Sequence, residues 1–135
     1  MSTNQEVFSL MDQSNLLSEQ KKYDDAITLA MQAWNLLPAP KESSEYFGWV
    51  VNSLINDYFD QKKYAQAHEW ALEFVKGKKY RQVTDGEYFW LAIINYEMGN
   101  YDEAFEYFQK ELREDKYAFE NAPKKYVKFF NERKQ

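Results

Sequence analysis

The chain contains no cysteine. Disulfides, thiolate zinc sites and cysteine nucleophiles are therefore excluded, and a reducing compartment fits that composition. Glycine and proline are scarce, at 4 and 3 residues in 135. So few turn-formers argue against a sandwich of many short strands and for long helices with short connections. His68 is the only histidine, too little for a histidine metal site. Phosphate-binding glycine loops and nucleophile elbows are missing too. No run approaches the roughly 18 consecutive apolar residues of a membrane span. Residues Met1 to Asn15 are polar and mixed, without a basic segment leading into an apolar one. No signal peptide is expected, and the expected location is the cytoplasm.

What is present is apolar and aromatic. Hydrophobic residues make up 44% and aromatics 19%, far too much for a disordered chain. The length fits one domain spanning 1–135, large enough to bury a core without staples. The formal net charge of −5 opposes binding to phosphate backbones and favours a basic protein partner. Net charge alone favours the simpler reading, that it keeps the chain soluble.

An internal repeat organises the chain. Gln20-Lys21-Lys22-Tyr23 recurs as Gln61-Lys62-Lys63-Tyr64, with a looser third copy in Gly99-Asn100-Tyr101. Alanine follows each tyrosine by three residues, at Ala26, Ala67 and Ala104. Before each turn runs an apolar-periodic segment, for example Val50, Val51, Leu54, Ile55 and Tyr58. After it comes a second, as in Tyr23, Ala26, Ile27, Ala30, Ala33, Trp34 and Leu37. Spacings of three and four place each set on one face of a helix. The alanines let the two helices of a pair cross closely. Tyrosines and Trp34 fill the space between helices, each burial contributing roughly 2–3 kcal/mol. Gly99 suits a left-handed helix end, Asn100 suits a cap, and Asp102 and Glu103 suit a helix start. The Lys-Lys pairs sit where a helix C-terminus favours positive charge. Carboxylates are densest at Asp24-Asp25, at Asp102-Glu103 and from Glu111 to Asp115; helix starts and a solvated helix end account for them. No enzyme activity, metal or cofactor is expected.

The segment Tyr88-Phe89-Trp90-Leu91-Ala92-Ile93-Ile94-Asn95-Tyr96-Glu97-Met98-Gly99-Asn100-Tyr101-Asp102-Glu103-Ala104 resembles the centre of a tetratricopeptide (TPR) repeat. The resemblance covers about residues 7–118, with the first two copies degenerate. It implies an all-α, right-handed superhelix of antiparallel helix hairpins, with about three repeats and a C-terminal capping helix. The pairs are expected at about 5–37, 44–76 and 85–116, and the cap at about 122–133. The run Tyr126-Val127-Lys128-Phe129-Phe130 supplies that sealing helix, which repeat arrays require. A helix docking on a partner is the other reading of the run.

In TPR arrays the first helix of each pair lines the concave groove. By that analogy the first pair presents Phe8, Met11, Asp12, Asn15 and Glu19. The second presents Trp49, Asn52, Ser53, Asn56, Phe59 and Asp60. The third presents Phe89, Trp90, Ile93, Tyr96 and Glu97. The set is aromatic, amide-bearing and acidic, without lysine or arginine. Aromatic anchors amid polar groups suit a protein partner, and aromatic faces beside carboxylates suit its basic side chains. About half of these aromatics are expected to serve the neighbouring helix or the cap instead. The carboxylate clamp of heat-shock co-chaperones is absent: only Asn15 matches, with Met11, Ser53, Gly86 and Trp90 at its other positions.

The link Leu37-Pro38-Ala39-Pro40-Lys41-Glu42 precedes Trp49, Asp57-Tyr58-Phe59, Tyr96-Glu97-Met98-Gly99 and, near the end, Phe119-Glu120 and Lys125-Tyr126. This order resembles small bacterial TPR-like immunity proteins encoded beside polymorphic toxins of contact-dependent, Rhs and type VI systems. The charged stretch between Lys76 and Asp85 departs from that pattern. The resemblance implies a protein that binds and silences a cognate toxin domain, expected to be basic. The alternative is a TPR chaperone or scaffold holding an extended peptide, as in type III secretion. Oligomeric state stays open, since an exposed aromatic face can self-associate.

Overall fold

A computed structural model describes residues 2–81 and 85–134. Of the stretch that departs from the immunity-protein pattern, residues 82–84 lie outside the described residues. Among the described residues there are seven α-helices and no strand. They are α1 (Thr3–Glu19), α2 (Tyr23–Leu36), α3 (Phe47–Asp60), α4 (Tyr64–Lys76), α5 (Glu87–Glu97), α6 (Tyr101–Glu114) and α7 (Lys124–Arg133). Short 3-10 turns occupy Lys41–Ser43 and Gly77–Tyr80. The fold class is all-α, built of antiparallel helix hairpins, as the periodicity predicts.

The three hairpins close with one turn geometry. Lys21, Lys62 and Gly99 all take the left-handed conformation, at φ 62°, 61° and 83°. Their N–H groups donate back to Ser18, Phe59 and Tyr96. The next N–H groups, of Lys22, Lys63 and Asn100, reach Leu17, Tyr58 and Asn95 at 2.8–2.9 Å. This paired return bond satisfies the last carbonyls of α1, α3 and α5. The turn tolerates lysine at the first two sites at a cost that glycine avoids. Asn100 does not cap α6 with its side chain. Its amide instead donates to Asn95 Oδ1 at 3.2 Å, and the buried Asn95 amide donates to the Leu91 carbonyl at 2.8 Å.

Backbone contacts divide the chain into two compact units, Met1–Tyr80 and Arg81–Gln135. In the first, α1 pairs with α2 and α3 with α4, and α2 and α1 both touch α3. A capping box starts α1: Ser2 Oγ accepts from the Gln5 N–H, and the Gln5 side chain accepts from the Ser2 N–H. Ala26, Ala30, Ala33, Ala67 and Ala71 are fully buried with Met11, Phe47, Leu54 and Phe74. The Leu37–Glu42 link ends α2 with a charge. Lys41 Nζ donates to the carbonyls of Trp34 (2.7 Å) and Leu37 (3.0 Å), the favoured pairing at a helix C-terminus.

The second unit holds one hairpin, α5–α6, and α7. Phe108 is fully buried at its centre and lies within 6.4 Å, ring to ring, of Phe89, Phe119, Tyr126, Phe129 and Phe130. Phe105 stacks on Phe130 at 5.0 Å. The C-terminal run therefore seals its own hairpin, a role an amphipathic docking helix would leave vacant.

Candidate protein-binding face

The first unit brings α1 and α3 side by side through polar links. Ser53 Oγ donates to Asn15 Oδ1 at 3.3 Å, and Ser18 Oγ donates to Asp57 Oδ1 at 2.6 Å. Ser14 Oγ binds the α2 carbonyl of Ala26 at 2.8 Å. Above these links stand the expected face residues. Phe8 is 52% exposed and meets the half-buried Trp49 edge-on at 5.6 Å. Tyr46 flanks Trp49 at 6.4 Å. Asp12, Glu19, Asn52 and Asp60 are exposed, and Asn15, Asn56 and Phe59 are half-buried. Asp60 Oδ2 accepts from Asn56 Nδ2 and from the Tyr23 hydroxyl, both at 3.4 Å. Partial burial, and then the Asp60 carboxylate, hold the Tyr23 phenol above its ordinary range.

Three of the expected groove residues do not present themselves. Met11, Ser53 and Ile93 are buried; they form floors on which the exposed residues stand. In helices with alternating three- and four-residue spacing, a shift of one position separates floor from face, so an analogy-based register errs at such neighbours.

In the second unit, α7 occupies part of the corresponding surface. Phe89 makes edge contacts with Phe108, Phe119 and Tyr126. Tyr96 meets Tyr126 at 5.3 Å and Phe129 at 5.1 Å. Glu97 accepts from Lys125 Nζ at 2.5 Å and from the Tyr126 hydroxyl at 3.2 Å. Half-buried Trp90 lies with Phe89 at the rim of a cleft of about 420 Å³, which Asp85, Gly86, Glu111, Asp115 and Ala118 complete.

Among the helices, lysine and arginine occur only in α4, α6 and α7; α1, α2, α3 and α5 contain none. Glu6, Asp12, Glu19, Asp57 and Asp60 give α1 and α3 five carboxylates. Sequence reasoning missed the special position of Asp57, although an aspartate inside the run Val50–Tyr58 is its signal. The side chain is fully buried, and its Oδ2 has no hydrogen-bond partner. Burial pushes the carboxyl up to about 6, opposed by the Ser18 hydrogen bond and assisted by the Asp60 charge. The second unit treats its buried acid differently. Glu87 Oε1 is 3.1 Å from the Arg81 guanidinium, and Oε2 accepts from the Asp85 N–H at 3.0 Å.

Among the described residues, no group of three or more histidine, aspartate or glutamate side chains is arranged to hold a metal ion. His68 is a half-buried residue of α4. No described helix is long and apolar enough to cross a membrane. No curated protein matches the chain. The family model for the tetratricopeptide repeat matches residues 86–118, so the α5–α6 hairpin carries the signature of a repeat that serves as a protein–protein interaction module.

Proposed function

We propose that the chain is a protein-binding module whose α1/α3 face grips a folded, basic partner domain, and that it acts as an immunity protein occluding a cognate secreted toxin in the cytoplasm. The observation that carries this reading is the Phe8–Trp49 aromatic step: the exposed Phe8 and half-buried Trp49 lie on two helices that hold four exposed carboxylates, Glu6, Asp12, Glu19 and Asp60, and no basic residue. Aromatic anchors of this type supply most of the affinity of an interface, and a one-signed rim speeds encounter with an opposite charge. A peptide groove running along α5 would need Tyr96 and Glu97 free, and α7 engages both. That favours a folded partner over the extended peptide of a chaperone.

Co-expression with the toxin domain of the neighbouring gene tests the reading. Growth rescue and co-purification of a one-to-one complex, weakening as salt is raised, are expected. Undiminished toxicity without co-purification would overturn the immunity role. Binding of short synthetic peptides in place of the folded domain would transfer the protein to the chaperone class.

A further inference from the structure

The other helix row of the first unit, α2 and α4, carries a second cleft. It measures about 560 Å³ and is lined by Trp34, Glu69, Trp70, Leu72, Glu73 and Lys76. Trp34 and Trp70 meet edge-on at 5.0 Å and 86°, so their faces form two walls of a corner. Leu72 is 43% exposed at its rim. Glu69 and Glu73 lie four residues apart on α4, on one helix face.

The charges in the cleft are unbalanced. Lys76 Nζ is bonded to Glu73 at 2.8 Å, and that bond holds the Lys76 ammonium above its ordinary range. Among the described residues, no hydrogen bond or ion pair engages the Glu69 side chain. The chain already sets a cation of its own against the other indole of the corner, Trp34. Lys41 Nζ lies 5.2 Å from the Trp34 ring centroid, pinned there by the carbonyls at the end of α2.

We infer that the α2/α4 cleft is a binding site for an arginine side chain of a partner protein, with the guanidinium against Trp70 and its N–H groups on Glu69. An indole face attracts a cation through its quadrupole, and a planar guanidinium stacks on that face while donating sideways to a carboxylate. A lysine ammonium is a more strongly hydrated point charge and gains less from the same corner. The apolar stem of the arginine finds Leu72. The site stands apart from the α1/α3 face and does not depend on what that face binds.

Two-dimensional NMR of the full-length protein resolves the four indole N–H signals, assigned with single Trp→Phe variants. N-acetyl-arginine amide is the probe, with the lysine and citrulline analogues as controls. The Trp34 and Trp70 signals should move saturably with arginine, more weakly with lysine, and not saturably with neutral citrulline. Glu69→Gln changes an exposed side chain and should weaken arginine binding roughly three- to fivefold. Lys76→Gln frees Glu73 and should strengthen it. If Trp34 and Trp70 move no more than Trp49 and Trp90, or if citrulline matches arginine, the site does not exist as described. Unchanged affinity in Glu69→Gln would equally overturn the assignment.

Discussion

The α1–α2 hairpin and the α5–α6 hairpin close with the same turn, yet their surfaces are finished in opposite ways. The second unit closes over itself: α7 lays Tyr126, Phe129 and Phe130 against Phe105 and Phe108. The first unit leaves Phe8 half-exposed beside Trp49, on helices whose charged residues are all acidic. Their buried carboxylates diverge in the same sense. Glu87 meets a guanidinium and a backbone N–H, whereas Asp57 has a single serine hydroxyl and one empty lone-pair side. A hairpin repeat is thus a neutral frame. What covers its apolar face decides whether that face stabilises the chain or meets a partner.

Five substitutions probe the contrast, from the largest expected effect to the smallest. Phe108→Ala removes the ring at the centre of the sealed unit and should cost about 3–5 kcal/mol in urea unfolding. A loss below about 1 kcal/mol would mean the aromatic cluster is loosely held. Glu87→Gln removes the buried one of two carboxylates that pair with Arg81, the other being Asp85, and should cost about 2 kcal/mol. Asp57→Asn should act in the opposite direction. The native carboxyl keeps its proton up to about pH 6, against 3.8 ordinarily. The folded state therefore binds more protons between these values, and the Asp57 contribution to stability, full below the lower value, is lost as pH rises through the upper one. Asp57→Asn should stabilise the protein at pH 7 by about 1–2 kcal/mol, an advantage that vanishes below about pH 4. Thermal unfolding across that range checks it, and an equal loss of stability at every pH would contradict it. Lys21→Gly and Lys62→Gly relieve the left-handed lysines and should each add roughly 0.5–1 kcal/mol. A loss of stability in both would show that their side chains outweigh the backbone cost.

Much of this was legible in the residues. The Tyr-x-x-Ala spacing marks the second helix of each pair, because only small residues fit where helices cross, and Ala26, Ala67 and Ala104 are fully buried. The aromatic run near the C-terminus reads as a seal because a repeat array needs its open end covered. The shared turn was half legible: Gly99 announces a left-handed residue, while Lys21 and Lys62 hide one, since lysine adopts that conformation only when the surrounding hydrogen bonds demand it. The face was harder. Periodicity separates apolar from polar sides, but not Met11 and Ser53 on the floor from Phe8 and Asp12 on the rim. The Trp34–Trp70 corner joins residues 36 positions apart on different hairpins, and no local spacing announces such a meeting.

Calorimetric titration of the proposed partner, a basic toxin domain, into the wild-type protein and into Phe8→Ala and Trp49→Ala variants tests the central claim most directly. The protein-binding account predicts that each truncation weakens binding by about 2 kcal/mol or more, roughly thirtyfold, with helix content unchanged. Affinity equal to wild type in both variants would contradict it and remove the α1/α3 face from the interface.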